Sequence, residues 1–320
     1  MGKTNTALKN MFSIKSIFSD LINGLYFAGN DVVHPCELEQ IDTAMGLIIQ
    51  GSDAKKNNVE RIRDLAMRWK SHMDVILYFV EFQDKVHYGM PVKNMLYDGL
   101  SYLEQMKELW YEVSEDDPAK QVGTADMFSQ FRKEDKLRPV ITLVFYCGDE
   151  WEGPLSIYDM LEFNENTMTV LKKYIPNYHI NIVNPNNLED ISVFKRDLQM
   201  IFGMVKLKTQ KNDMKDFVSK NADYFENVGI EIVYGIEAMV GSDFLSKNIS
   251  NRTETGGVNV CKAFEDMVEE GRELGIEEGL DQGIKGIVAI LRELAIADDI
   301  ILEKLVKQFE LTELEANAYL

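Results

Sequence analysis

Cysteine, histidine and proline are scarce in this chain, whose 320 residues hold three cysteines, four histidines and seven prolines. Cys36, Cys147 and Cys261 lie far apart, which excludes a disulfide framework and any zinc site built on cysteine pairs. His34, His72, His87 and His179 form no cluster either. No apolar run approaches the roughly 20 residues that a membrane-spanning helix needs. The opening Met1-Gly2-Lys3-Thr4-Asn5-Thr6 lacks the apolar stretch of a secretory signal. A reduced, cytoplasmic protein with no membrane contact is the expectation.

Positive charge is also short, and the net charge is −19. Taken as a sum, that argues against a nucleic-acid partner. The distribution argues otherwise. Residues 261–320 hold fifteen acids and six bases, so they carry −9 of the total. Residues 55–70 hold six bases (Lys55, Lys56, Arg61, Arg63, Arg68, Lys70) against Glu60 and Asp64, a local +4. A basic segment of this kind suits a polyanionic substrate. It also suits a hairpin whose charges simply face water.

What is present is a series of apolar strands and helices. Val75-Ile76-Leu77-Tyr78-Phe79-Val80 has no alternation and reads as a strand buried on both faces, the central kind in a sheet covered by helices. Val140–Tyr146 is a second such run, His179-Ile180-Asn181-Ile182-Val183 a shorter one, and Leu47-Ile48-Ile49-Gln50 a first strand ahead of a turn cluster at 51–58. Ile14, Ile17, Phe18, Leu21, Ile22 and Leu25 fall at helical spacing. Val92, Met95, Leu96, Gly99, Leu100 and Leu103 do the same, ahead of an acidic loop near 112–118. Strands alternating with helices predict an α/β fold with a mixed central sheet flanked by helices.

Beyond about residue 190 only helices are expected, so the chain divides into a domain at 1–190 and a helical C-terminal region at 191–320. Gly271, Gly275, Gly279 and Gly283 recur every four residues there. Each glycine inside a helix costs up to about 1 kcal/mol relative to alanine. The row reads either as a seam for a partner helix, with homo-oligomerisation as one outcome, or as a flexible tether. At the end, Thr312 and Glu315 form a capping-box pattern between two short helices.

The chemistry concentrates at residues 61–83. Asp64 follows two arginines, and the central strand ends in Glu81-Phe82-Gln83, which puts Glu81 and Gln83 on one side of a strand. Two carboxylates on neighbouring strands hold a hard divalent cation through oxygen ligands. Without a cation they repel, and one pKa rises.

Asp64, then Glu81-x-Gln83, then Met90-Pro91-Val92-Lys93-Asn94-Met95-Leu96-Tyr97-Asp98 resembles the Rpn family of recombination-promoting nucleases and transposases, a branch of the PD-(D/E)XK nuclease superfamily. Asn5-Thr6-Ala7-Leu8-Lys9, Lys136-Leu137-Arg138-Pro139-Val140, Gly148-Asp149-Glu150-Trp151-Glu152-Gly153-Pro154 and Cys261-Lys262-Ala263-Phe264-Glu265-Asp266 extend the likeness along nearly the whole chain, in order. The resemblance implies a restriction-endonuclease-like core and cleavage of DNA with Mg²⁺ or Mn²⁺. Asp64, Glu81 and Gln83 would be the catalytic residues, with Asp64 and Glu81 as metal ligands. Gln83 departs from the wider superfamily, where a lysine usually stands. An amide orients a water but adds no positive charge.

Several side chains are read more plainly. Tyr97 and Asp98 read as packing and capping residues, His87 as structural, and Asp20 as an outside candidate for an accessory acid. Lys85 and Lys93 lie within reach without a role assigned. Two other readings stand beside the nuclease: a non-catalytic DNA-binding or mobile-element accessory protein, and an acidic module that works through its glycine-spaced helix.

Overall fold

The computed structural model describes residues 3–41, 44–50, 56–71, 75–116, 124–162, 165–243, 245, 253 and 256–320. Two helices, α1 (Lys3–Phe12) and α2 (Lys15–Phe27), lead into β1 (Leu38–Gln40). The hairpin β2 (Ala44–Gln50) and β3 (Lys56–Ile62) follows, then β4 (Leu65–Lys70), β5 (Val75–Gln83) and the long helix α3 (Met90–Asp116). After α4 (Thr124–Ser129) come β6 (Val140–Tyr146), α5 (Glu165–Leu171) and β7 (Asn181–Val183). Helices α6 (Arg196–Lys206), α7 (Lys211–Lys220), α8 (Ala222–Phe225) and α9 (Ile230–Val240) complete the first compact unit, which ends at Val258. The second unit, Asn259–Leu320, holds α10 (Val260–Glu293), α11 (Asp298–Phe309) and α12 (Glu313–Asn317).

The main sheet is mixed, in the order β1-β4-β5-β6-β7. β5 lies at its centre, antiparallel to β4 and parallel to β6. The absence of alternation in its sequence reflects that position, since Leu77 through Phe82 are all buried. Pairing between β5 and β6 is parallel because α3 carries the chain back across the sheet. β2 and β3 pair only with each other, so the strand expected at Leu47–Gln50 belongs to an outlying hairpin.

Alternation along the strands gives each face its own cover. Tyr78, Val80, Phe82 and Phe145 project to one side, where aromatic rings dominate. Phe12 of α1 stands 5.8 Å from Phe82 and 4.9 Å from Phe145, and Phe18 of α2 stands 6.2 Å from Tyr78. Phe202 of α6 stacks on Phe145 at 6.4 Å and meets Phe194 edge-on at 5.0 Å. Gly235 lets α9 lie close on α1, because a Cβ there would collide with Met11. These helices explain why the first unit runs past residue 190, where a boundary was expected, to Val258.

The other face is covered by α3, and here the polarity is inverted. The side of α3 that is buried carries Met90, Asn94, Tyr97, Asp98, Ser101 and Gln105. The apolar stripe expected to face the sheet is exposed at Val92, Met95, Leu96 and Leu103. The cause is Arg63, which is 1% exposed and lies over the Phe79 ring at 3.7 Å. Its guanidinium donates to Asp98 at 2.9 Å and to Thr142 at 2.6 Å. Asp98 also accepts from the hydroxyls of Thr142 and Tyr178, each at 2.5 Å. A buried cation needs such partners, so the helix turns its polar side inward.

In the second unit, Ile284, Val288, Ile301, Leu305 and Ala316 form a separate core. Thr312 caps α12 with the expected box: its amide donates to the Glu315 carboxylate at 2.8 Å, and the Glu315 amide donates to its hydroxyl at 3.3 Å. Gly271, Gly275, Gly279 and Gly283 sit inside the continuous helix α10 and meet nothing at the Cβ position. The acidic stretch at 112–118 is helical through Asp116, and its remainder lies outside the described residues.

Candidate metal centre

Asp64 occupies the bend between β3 and β4. The β4–β5 register pairs Leu65 with Val80 and Ala66 with Phe79, so one step outward brings Asp64 opposite Glu81. Residues directly opposed on antiparallel strands project to the same face. Asp64 is held there by the Phe82 amide, which donates to its Oδ2 at 2.8 Å. From α1, the Asn5 side chain donates to the Phe82 carbonyl at 3.3 Å and fixes the same residue from its other side.

Glu81 is 1% exposed. Its Oε2 accepts from Lys93 Nζ at 2.5 Å, whereas Oε1 is buried without a hydrogen-bond partner. Burial pushes the Glu81 carboxyl up; Lys93 opposes this and the Asp64 charge adds to it. Burial likewise raises Asp64, against the pull of the Phe82 amide and the charges of Lys93 and Lys9. The two acids therefore feel each other across the strand pair. Gln83 is half-buried, two residues along the same face from Glu81, and level with Tyr146 of β6.

A buried carboxylate oxygen without a partner costs several kcal/mol unless something satisfies it. Mg²⁺ is commonly held by one or two carboxylates while keeping several waters. An acid at the bend before β4 and another on β5 offer oxygen ligands of the kind that ion takes. Among the described residues no group of three or more His, Cys, Asp or Glu converges to hold a metal ion of any kind, so such an ion would take its remaining ligands from water and substrate. Burial pushes the Cys147 thiol up to about 12, away from the thiolate form.

Glu81 and Gln83 lie two residues apart on β5, Asp64 lies at the bend before β4 beside the Phe82 amide, and Lys93, which spacing left without a role, bonds Glu81. The signal for Lys93 lies in its position: α3 follows β5 directly, so its first turn hangs over the end of the strand. Asp98 proves to be the buried acceptor for Arg63, and Tyr97 packs beside it. Asp20 does not join the pair. Its carboxyl, raised to about 6 by burial, accepts from the Lys195 amide at 2.9 Å and feels Lys195, Asp197 and Asp31. His87 is exposed.

Three bases of the segment have partners within the protein. Arg63 is in the core, while Lys70 and Arg68 face Glu39 at 2.9 and 3.7 Å. Lys55 lies outside the described residues.

Comparison with known proteins agrees with the resemblance carried by the sequence. The family model described as "Putative transposase, YhgA-like" matches residues 122–229. That stretch covers β6, the loop at 148–154, β7 and helices α6 to α8, and it excludes Asp64, Glu81 and Gln83. No curated protein and no solved structure gives a significant match.

Proposed function

We propose that this chain, matched over a third of its length by a transposase family, is a metal-dependent DNA endonuclease of the PD-(D/E)XK type that serves recombination or transposition. One observation carries the reading: Asp64, held at the bend before β4 by the Phe82 amide, acts on the charge of Glu81, which has a buried, unsatisfied oxygen. The topology supports it as well. Helix α2, the antiparallel strands β1, β4 and β5, the crossover α3 and the parallel strand β6 form a mixed sheet with helices on both faces and the acids at one strand end.

In this reading Asp64 and Glu81 hold Mg²⁺ or Mn²⁺, and Gln83 orients the attacking water through its amide. When bound, the cation supplies charge neutralisation at the phosphate and acidifies water. The chain's part is to present two fixed carboxylates from a rigid sheet, at a spacing set by strand register. Hydrolysis forms a bond from the water oxygen to phosphorus as the P–O ester bond breaks. The protons of the water end on the product phosphate and on the leaving hydroxyl.

The test is cleavage of supercoiled plasmid with Mg²⁺ or Mn²⁺, comparing the wild type with Asp64→Ala and Glu81→Ala. Each substitution is expected to cut the rate at least about 10²-fold, the scale for losing a main electrostatic contributor. Equal cutting by all three proteins rejects the site. DNA binding without cleavage by the wild type instead identifies an accessory protein that keeps the fold.

A further inference from the structure

The superfamily position that usually supplies a cation is here a neutral glutamine, yet the site is not without one. Lys93 reaches it from the first turn of α3. Its Nζ lies 2.5 Å from Glu81 Oε2, and its charge also acts on Asp64. The side chain is 25% exposed, so it spans from solvent to a carboxylate that is nearly dry. It also uses only one of the two oxygens, leaving Glu81 Oε1 buried and unpaired. Lys93 therefore leaves the second oxygen of Glu81 open to another partner.

We propose that Lys93 is the cationic residue of the reaction, doing from the helix what Gln83 cannot do from the strand. Its ammonium is placed to donate to the water or to a non-bridging phosphate oxygen beside Glu81. This rests on the nuclease reading above and deepens it. Lys9 of α1 also affects Asp64, but among the described residues Lys93 is the cationic side chain hydrogen-bonded to an acid of the pair.

A structural counter-ion and a working cation make different predictions when the charge is moved. Lys93→Gln is expected to lower plasmid cleavage about 10²-fold. Mn²⁺ binding without DNA, followed by the loss of the free-ion electron paramagnetic signal, is expected to tighten by roughly tenfold. That is the Coulomb scale for removing a unit charge about 5 Å from a divalent ion in a water-like dielectric. The double variant Lys93→Gln/Gln83→Lys, which returns the charge to the strand, is expected to recover at least about tenfold of the lost rate. Lys93→Arg, which keeps the charge, is expected to stay above Lys93→Gln.

Wild-type cleavage by Lys93→Gln overturns the proposal while leaving the nuclease reading intact, provided Asp64→Ala is silent. Weaker Mn²⁺ binding together with earlier melting and no rescue by Gln83→Lys also overturns it, and assigns Lys93 a structural role. A wild type that neither binds Mn²⁺ nor cuts removes both readings together.

Discussion

Arg63 and Asp64 are neighbours in the chain with different surroundings. Arg63 is sealed between Phe79 and α3, and burial lowers its pKa while Asp98 opposes that. Breaking a buried ion pair by removing one partner costs about 3–5 kcal/mol, because the other charge is left dry. Asp98→Ala is expected to destabilise the first unit by that amount in urea unfolding. Adding Arg63→Met is expected to recover part of it, since no charge then remains buried. Strictly additive costs would show that the two do not act as a pair. The shared side of Glu81 and Gln83 was legible because spacing along a strand determines which side chains share a face, whereas Asp64 was picked out by the family likeness. Lys93 was not legible, because its reach depends on how α3 leaves the sheet.

At the scale of elements, β5, β6 and α3 stand where the chain's periodicity puts them. The face of α3 does not. Hydrophobic periodicity assumes that apolar side chains turn inward, and a single guanidinium in the core reverses this for a whole helix. Met95→Glu and Leu103→Glu, on the exposed stripe, are expected to change stability by no more than about 0.5 kcal/mol. A loss of 2 kcal/mol or more at either position by the same urea measurement would show that the stripe is covered. Of the hairpin, β2 was legible as a strand, whereas β3 begins inside the stretch read as a turn cluster, and strand patterns do not say which partner is chosen.

The molecule as a whole divides its charge as it divides its cores. Residues 259–320 carry −9 of the −19 and fold around Ile284, Val288, Ile301, Leu305 and Ala316. The first unit therefore carries −10 and contains every acid and base of the proposed site. A chain ending at Val258 is expected to keep a cooperative thermal transition and its Mn²⁺ binding, read by calorimetry and by the electron paramagnetic signal. Loss of either would mean that the C-terminal unit is needed to complete the first. The domain boundary was hard to read because helices α6 to α9 carry no strand signal, although they bury the aromatic face of the sheet. One consequence follows from the order of residues 63 and 64. Arg63, sealed in the core, and Asp64, an acid of the proposed site, are a single peptide bond apart. Packing deep in the interior thus sets the aim of a group at the surface, and a methyl's worth of slack beneath Phe79 would be felt first as misplaced oxygen.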